Sequence, residues 1–290
     1  MKRILITGVP EHFNYPLLQL IERQPFRSVG FELIWKNEPK GSGAMNQAIR
    51  TGETDLAIIL TESFIKDSLE GNQGKIIGLH VASPLTWGIH VSALNSSTII
   101  SELSDQPFLI SRYGSGSHLM AFLLAKREGW PINQLNFEVI GDLEGAKKAF
   151  IHGSKGIFLW EKFTTKPLVN QGLFKRIGEI PTPWPCFVIV ASERLLKQHP
   201  ELASSISQEI HQQNTMCLTD PNLSLKISQI YDLQAEDVKD WLAQTSWATG
   251  PDISKGMLKN TLNVLFELDL IQSYCQPEDL IYPPAVNLID

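Results

Sequence analysis

Short apolar runs alternate with helical periodicity over the first 160 residues of the chain. Ile4–Thr7, Phe31–Trp35 and Asp55–Leu60 read as strands, the last almost continuously apolar, as a parallel strand covered on both faces must be. Between them, Leu17, Leu18 and Ile21 predict a helix with Asn14 near its cap and Pro16 in its first turn. Met45, Ala48 and Ile49 predict a second helix, opened by Gly41-Ser42-Gly43 and stopped by Gly52. The pattern recurs beyond the segment Ser83–Val91. Strand Phe108–Ile110 leads through Gly114–Ser117 to a helix over Leu119–Glu128, ended by Gly129 and Pro131. Strand Phe137–Ile140 precedes a helix carrying Leu143, Ala146 and Phe150, and Gly156–Trp160 closes the series. Phe187–Ala191 is a later strand. The chain beyond Glu193 is mostly helical, with Leu258, Leu262 and Leu265 as its clearest stripe.

Two such series, each of about 80 residues, predict an α/β protein of two lobes, each a mixed, mostly parallel sheet covered by helices. The chain is expected to pass between lobes near 85–91 and 182–187, stretches rich in Pro and Trp that suit a stiff hinge. Lobe I then comprises 1–88 with 185–290, and lobe II 89–184. In open α/β sheets ligands sit beyond the C-terminal strand ends, against helix N-termini. A ligand cleft between the lobes is therefore expected, lined by the loops that follow the strands.

Composition narrows the function. The apolar fraction of 43% excludes disorder, and 25 Lys+Arg against 31 Asp+Glu give a net charge of −6. That balance, with no basic cluster beyond pairs such as Lys147-Lys148, argues against nucleic acid. No apolar run approaches the ~18–20 residues that span a bilayer, so membrane insertion is not expected. Ile4–Val9 behind Met1-Lys2-Arg3 is too short for a signal-peptide core, which gives a cytoplasmic expectation, or a periplasmic one had a leader been trimmed. Cys186, Cys217 and Cys275 lie far apart and form no CxxC pair, and there is no HExxH, GxSxG or GxxxxGK[ST], so no metal or cofactor is expected. His80 and His90 fall in apolar strand contexts and read as structural, and His199 and His211 as surface residues of the helical tail.

The candidate site follows from position. Gly114-Ser115-Gly116-Ser117-His118 follows a strand and opens a helix, so its N–H groups and two hydroxyls suit an anion, or else form a serine-capped turn. Leu119 stands where a dinucleotide fingerprint needs its third glycine. Ser42 and Gly43 occupy the analogous place in the first lobe. His12 either hydrogen-bonds a ligand or is a satisfied loop histidine, and Asn14 either contacts ligand or caps the helix. Thr61 and Glu62 offer a further polar contact or a cap. Trp87, Trp160 and Trp184 fall at hinge or strand ends, where rings stack on a planar ligand or pack in the core. Glu161 suits a ligand amine and Arg112 a carboxylate, or solvent. Cys186 reads as a contact at the second crossing or a buried inert thiol.

Several phrases resemble the type 2 periplasmic-binding-protein-like family. They are Gly8-Val9-Pro10-Glu11-His12-Phe13-Asn14, Gly41–Met45, Gly52-Glu53-Thr54-Asp55-Leu56-Ala57, Ser83–Gly88, Ser111–His118, Leu159–Pro167 and Pro181–Phe187. The broad pattern is similar to binding proteins for nitrate, sulfonate, taurine and thiamine-pyrimidine precursors. The longer phrases resemble a narrower, stand-alone group without an export leader. The resemblance, over roughly residues 3–215, implies two α/β lobes, a hinge and a small molecule closed between them, with the helical C-terminal part on the first lobe; taken with the loop residues above, it gives a receptor for a small polar, planar, anionic or zwitterionic metabolite, with a transporter or regulator as a possible partner. It leaves open an enzyme on the same fold, of thiamine-pyrimidine or menaquinone-pathway type. The cysteine-rich run of the former and the Ser-Pro-Cys-Pro-Asn opening of the latter are absent here.

Overall fold

The apolar run at the N-terminus becomes strand β1 (Lys2–Gly8), and the βα alternation continues through α1 (Tyr15–Arg23), β2 (Phe31–Asn37), α2 (Ser42–Thr51), β3 (Leu56–Leu60) and α3 (Thr61–Leu69) to the long strand β4 (Lys75–Ser92). The second series is β5 (Phe108–Ile110), α4 (Gly116–Glu128), β6 (Phe137–Val139), α5 (Leu143–Ile151), β7 (Ile157–Glu161), α6 (Lys166–Asn170) and a second long strand, β8 (Phe174–Ala191). The tail follows as α7 (Glu193–Gln198), α8 (Pro200–Leu218), α9 (Leu223–Tyr231), α10 (Ala235–Leu242), β9 (Asp252–Ser254), α11 (Lys255–Glu267), α12 (Pro277–Leu280) and β10 (Asn287–Ile289). This computed structural model describes all 290 residues, which divide into two units: Met1–Pro84 with Pro183–Asp290, and Leu85–Thr182.

In the first unit the strand order is β2-β1-β3-β8-β4. β1 runs parallel to β2 (Lys2↔Phe31) and to β3 (Ile6↔Leu56), and β3 runs antiparallel to β8 (Leu56↔Ala191). Leu56, Ile58, Ile59, Val188 and Ile189 are fully buried, as strands covered on both faces require. The tail docks here. Ser207 on α8 donates to the Ile77 carbonyl at 2.6 Å, and His211 bonds that of Leu79 at 3.0 Å. A Cβ at Gly78 would come within 2.9 Å of Ser207 Oγ and 3.0 Å of the His211 ring, so glycine lets the helix approach. His211 is thus buried in the contact and not at the surface, as its place in a helical tail had suggested.

The second unit has the order β8-β4-β7-β5-β6. β5 is parallel to β6 and β7, and β4 antiparallel to β7 (Trp87↔Glu161). Its core gathers Leu109, Ala146, Phe150, Phe158, Leu168 and Phe174. His90 is buried beside it, bonding the Phe158 carbonyl at 3.2 Å and Thr165 Oγ1 at 2.9 Å.

The stretches read as hinge segments lie inside 18-residue strands. Pro181, Pro183 and Pro185 of β8 do not break it because they recur at every second residue. Alternate residues of a strand turn their N–H and C=O to the same edge, so the three missing donors fall on one side only. The carbonyls on that side are taken by side chains instead: Glu179 by Arg127 (2.7 Å), Pro183 by Asn260 (3.1 Å) and Pro185 by Thr61 (2.6 Å).

Burial holds His12 and His90 down to about 3 and His80 to about 4. A histidine lowered on folding contributes stability that is complete above its unfolded pKa near 6.5 and is lost as the pH falls through it. His90→Gln removes one such contribution. The stability advantage of the wild type over this variant is expected to shrink by roughly 2 kcal/mol between pH 7 and pH 5. Urea unfolding at the two pH values measures it, and a constant difference would contradict the assignment.

Candidate functional site

The strand ends of the second unit carry two groups. After β5, Ser111–Ser115 turn the chain into α4, with Gly114 at φ +75°. Ser115 caps the helix, its Oγ accepting from His118 N at 3.3 Å. Ser117 Oγ accepts from Ser111 N at 3.0 Å and lies 3.0 Å from the hydroxyls of both Ser111 and Ser115. Gly114 N donates to His118 Nδ1 at 3.1 Å, and the His118 ring packs edge-on against Tyr113, Phe122 and Phe137. The hydroxyls read as anion ligands are therefore engaged in holding the turn itself. The N–H groups of Gly116 and Ser117 open the helix without intrahelical acceptors.

Arg112 belongs to the same turn, its carbonyl accepting from Ser115 N at 3.2 Å. The other seven arginines each bond an acidic side chain. Arg112 has no such partner. Half-burial with no compensating charge holds its guanidinium below the usual arginine range.

At the end of β7, Glu161 is consumed internally. Its carboxylate accepts from Phe163 N at 3.0 Å, from Thr164 N at 2.6 Å and from Thr164 Oγ1 at 2.8 Å. Burial raises its pKa, and those bonds counter the rise. The carboxylate expected to read a ligand amine instead fixes the turn that follows the strand. Trp160 stacks on Phe158 (5.3 Å between ring centres, 15° between planes) and meets Trp87 edge-on at 6.5 Å. Trp87 is buried with its Nε1 unpartnered, while Trp160 is half-buried.

The first unit also has two groups. Ser42 Oγ accepts from Leu60 N at 3.1 Å, tying the start of α2 to the end of β3, with Gly43 in the first turn of that helix. Next in sequence, Thr61 bonds Pro185 and the fully buried Trp184 donates its Nε1–H to Glu62 Oε2 at 2.8 Å. Glu62 Oε1 has no partner, and burial pushes the carboxyl up to about 7. Cys186 is buried beside them in sequence. Trp184 is thus a core residue, and Thr61 is a strand-to-helix tie; Leu60, not Thr61, occupies the cap position of α3.

His12 is sandwiched by Phe13 and Trp241, at 5.1 and 4.3 Å between ring centres, and its low pKa keeps it neutral at physiological pH. Asn14 stands at the cap position of α1 but makes no cap bond, its Nδ2 donating to the Val9 carbonyl at 2.8 Å. Asn14 also lines a cavity of about 270 Å³ with Trp35, Asn37 and Tyr231, which sequence reading did not single out. Trp35 and Asn37 close the second strand and fall under the strand-end rule. Tyr231, in the helical tail, gave no signal. No group of three His, Cys, Asp or Glu stands close enough to hold a metal ion, and no helix is long and apolar enough to cross a membrane.

Residues 87–180 match a family model described as Ca3427-like PBP. No curated protein matches the chain. Among solved structures, the Candida albicans CA3427 gene product, described as having the generic periplasmic binding protein fold, superposes with a TM-score of 0.89 at 23% identity, over 100% of this chain and 99% of the other. The alkanesulfonate-binding protein SsuA of Xanthomonas axonopodis pv. citri, bound to MOPS, gives 0.78 at 16% identity over 100% and 99%. The ligand-binding component of an ABC-type import system from Staphylococcus aureus, with zinc bound, gives 0.77 at 16% over 98% of each. The chain has the type 2 periplasmic-binding-protein-like fold.

Glu62 gives a pH test of its own. Its folded pKa lies above the unfolded value of 4.5, so its contribution is complete below pH 4.5 and is lost as the pH rises through 7. Glu62→Gln imitates the protonated carboxyl. It is expected to stabilise the protein by up to roughly 3 kcal/mol at pH 8 and by almost nothing at pH 4.5. A gain independent of pH, measured by urea unfolding, would show that the carboxyl is not held protonated.

Proposed function

We propose that this chain is a binding protein for a small metabolite carrying a carboxylate, sulfonate or phosphate, and that this group is held at the start of α4. The observation that carries the reading is Arg112, a half-buried guanidinium with no internal anion, in the turn that presents the opening N–H groups of a 13-residue helix. A desolvated charge is costly unless it is paired, and a helix N-terminus is a ready anion site. Charge-assisted bonds from arginine to such a group contribute about 1.5–3 kcal/mol. The Xanthomonas relative named above binds alkanesulfonates, which is the same ligand chemistry. Trp160, stacked on one face and partly exposed, supports a ligand that is planar in part. Closure of the two units on the ligand belongs to the same proposal.

Calorimetric titration with methanesulfonate, acetate and inorganic phosphate, against uncharged methanesulfonamide, tests the reading. At least one anion is expected to bind and the sulfonamide not to. Arg112→Met is expected to weaken the anion roughly ten- to hundredfold, with the melting temperature unchanged or raised because an unpaired charge is removed. Equal affinity in the variant would overturn the assignment. Closure is expected to lower the radius of gyration in solution scattering when the anion saturates, and identical curves would remove that part of the proposal.

A further inference from the structure

The cavity of about 270 Å³ in the first unit has a different chemistry from the α4 turn. It lies at the C-terminal ends of β1 and β2, where α/β sheets place ligands. Leu18 and Ile230 give it apolar walls, and the Trp35 indole and Tyr231 phenol give it aromatic ones. Trp35 is held in orientation by its Nε1–H, which donates to Asn37 Oδ1 at 2.7 Å. Its approach to β1 depends on Gly8, where a Cβ would meet Trp35 Cη2 at 2.4 Å and Asn14 Nδ2 at 3.0 Å. The space is therefore built by a close approach that only glycine permits.

Two polar groups of its lining residues have no hydrogen-bond partner within the chain, and one of them is buried. Asn14 is 1% exposed and commits its Nδ2 to Val9, while its Oδ1 has no partner. The Tyr231 hydroxyl makes no hydrogen bond within the chain, and burial raises its pKa, with Glu11 adding to the rise. A buried acceptor left unpaired costs roughly 1–3 kcal/mol, which a donor on a bound molecule would offset. No lysine or arginine lines the cavity.

We infer that this cavity is a second binding site, for an uncharged, flat one-ring molecule whose carboxamide-like edge donates to Asn14 and accepts from Tyr231. Its volume is near the lower end of the roughly 300–1,000 Å³ of small-molecule sites, which suits one ring. The absence of a lining cation turns anions away, so the site selects against the ligand class assigned to the α4 turn and stands independently of it.

Benzamide is the probe and benzoate its charged counterpart of the same shape, titrated calorimetrically into the full chain. Benzamide is expected to bind saturably and benzoate at least tenfold more weakly. Tyr231→Phe, which removes only a hydroxyl, is expected to weaken benzamide several-fold, and Asn14→Leu to abolish binding. Should Asn14→Leu fail to fold, Tyr231→Phe and Gly8→Ala, which displaces the Trp35 wall, carry the test. Saturating methanesulfonate is expected to leave benzamide bound. Absence of saturable binding, equal binding of benzoate, unchanged affinity in the variants, or displacement by methanesulfonate would each overturn the inference.

Discussion

Strands β3 and β7 and the second half of β8 are covered on both faces, so their peptide groups are consumed by ladders and nearly all the side chains between their ends are apolar. Five candidate polar groups are consequently displaced to a strand terminus or the turn behind it. Arg112 and Ser115 follow β5, Glu161 ends β7, Glu62 follows β3, and Asn14 follows β1. The same covering makes polar groups near the sheet costly unless bonded. That cost accounts for the bonds that tie the tail to the first unit. The Phe13 carbonyl alone accepts from Trp247 Nε1 at 2.8 Å and lies 2.9 Å from His80 Nε2.

Where the bonds fall short, the shortfall has a sign. Arg112 is a positive charge without a negative partner, and Glu62 is a carboxyl whose buried second oxygen has none. Glu161 shows the contrast. It is as buried as Glu62, yet two amides and a hydroxyl satisfy it, so it acts as a structural clamp. Burial alone thus separates nothing; the tally of donors around each carboxylate does.

The βα alternation was legible because its signals are local: a continuous apolar run such as Leu56–Leu60, a stripe such as Met45, Ala48 and Ile49, and a left-handed Gly52 at the helix end. The long strands were not, because Pro84 in β4 and Pro181, Pro183 and Pro185 in β8 read as strand breakers, although the last three keep the two-residue strand repeat. The short parallel pair Asp252–Ser254 with Asn287–Ile289 joins segments whose sequence shows no strand pattern longer than three residues. For the site, position relative to a strand end was readable, which found Arg112, Ser115 and Asn14. Whether a side chain spends its bonds internally was not. Ser117 bonds Ser111 and Glu161 bonds Thr164, contacts of short range whose geometry a sequence does not state. Tyr231 comes to the same cavity as Trp35 and Asn14 only through tertiary packing.

The alternating prolines of β8 bear on more than its own pairing. A bare strand edge offers donors and acceptors in register, and any other extended chain can copy it. Here the side occupied by Pro181, Pro183 and Pro185 has no donors at those positions, and Asn260 and Thr61 already occupy two of the carbonyls. Templated growth from that edge, the first step toward aggregation, finds no ladder to extend. An 18-residue strand can therefore leave part of one side unpaired without offering a template there.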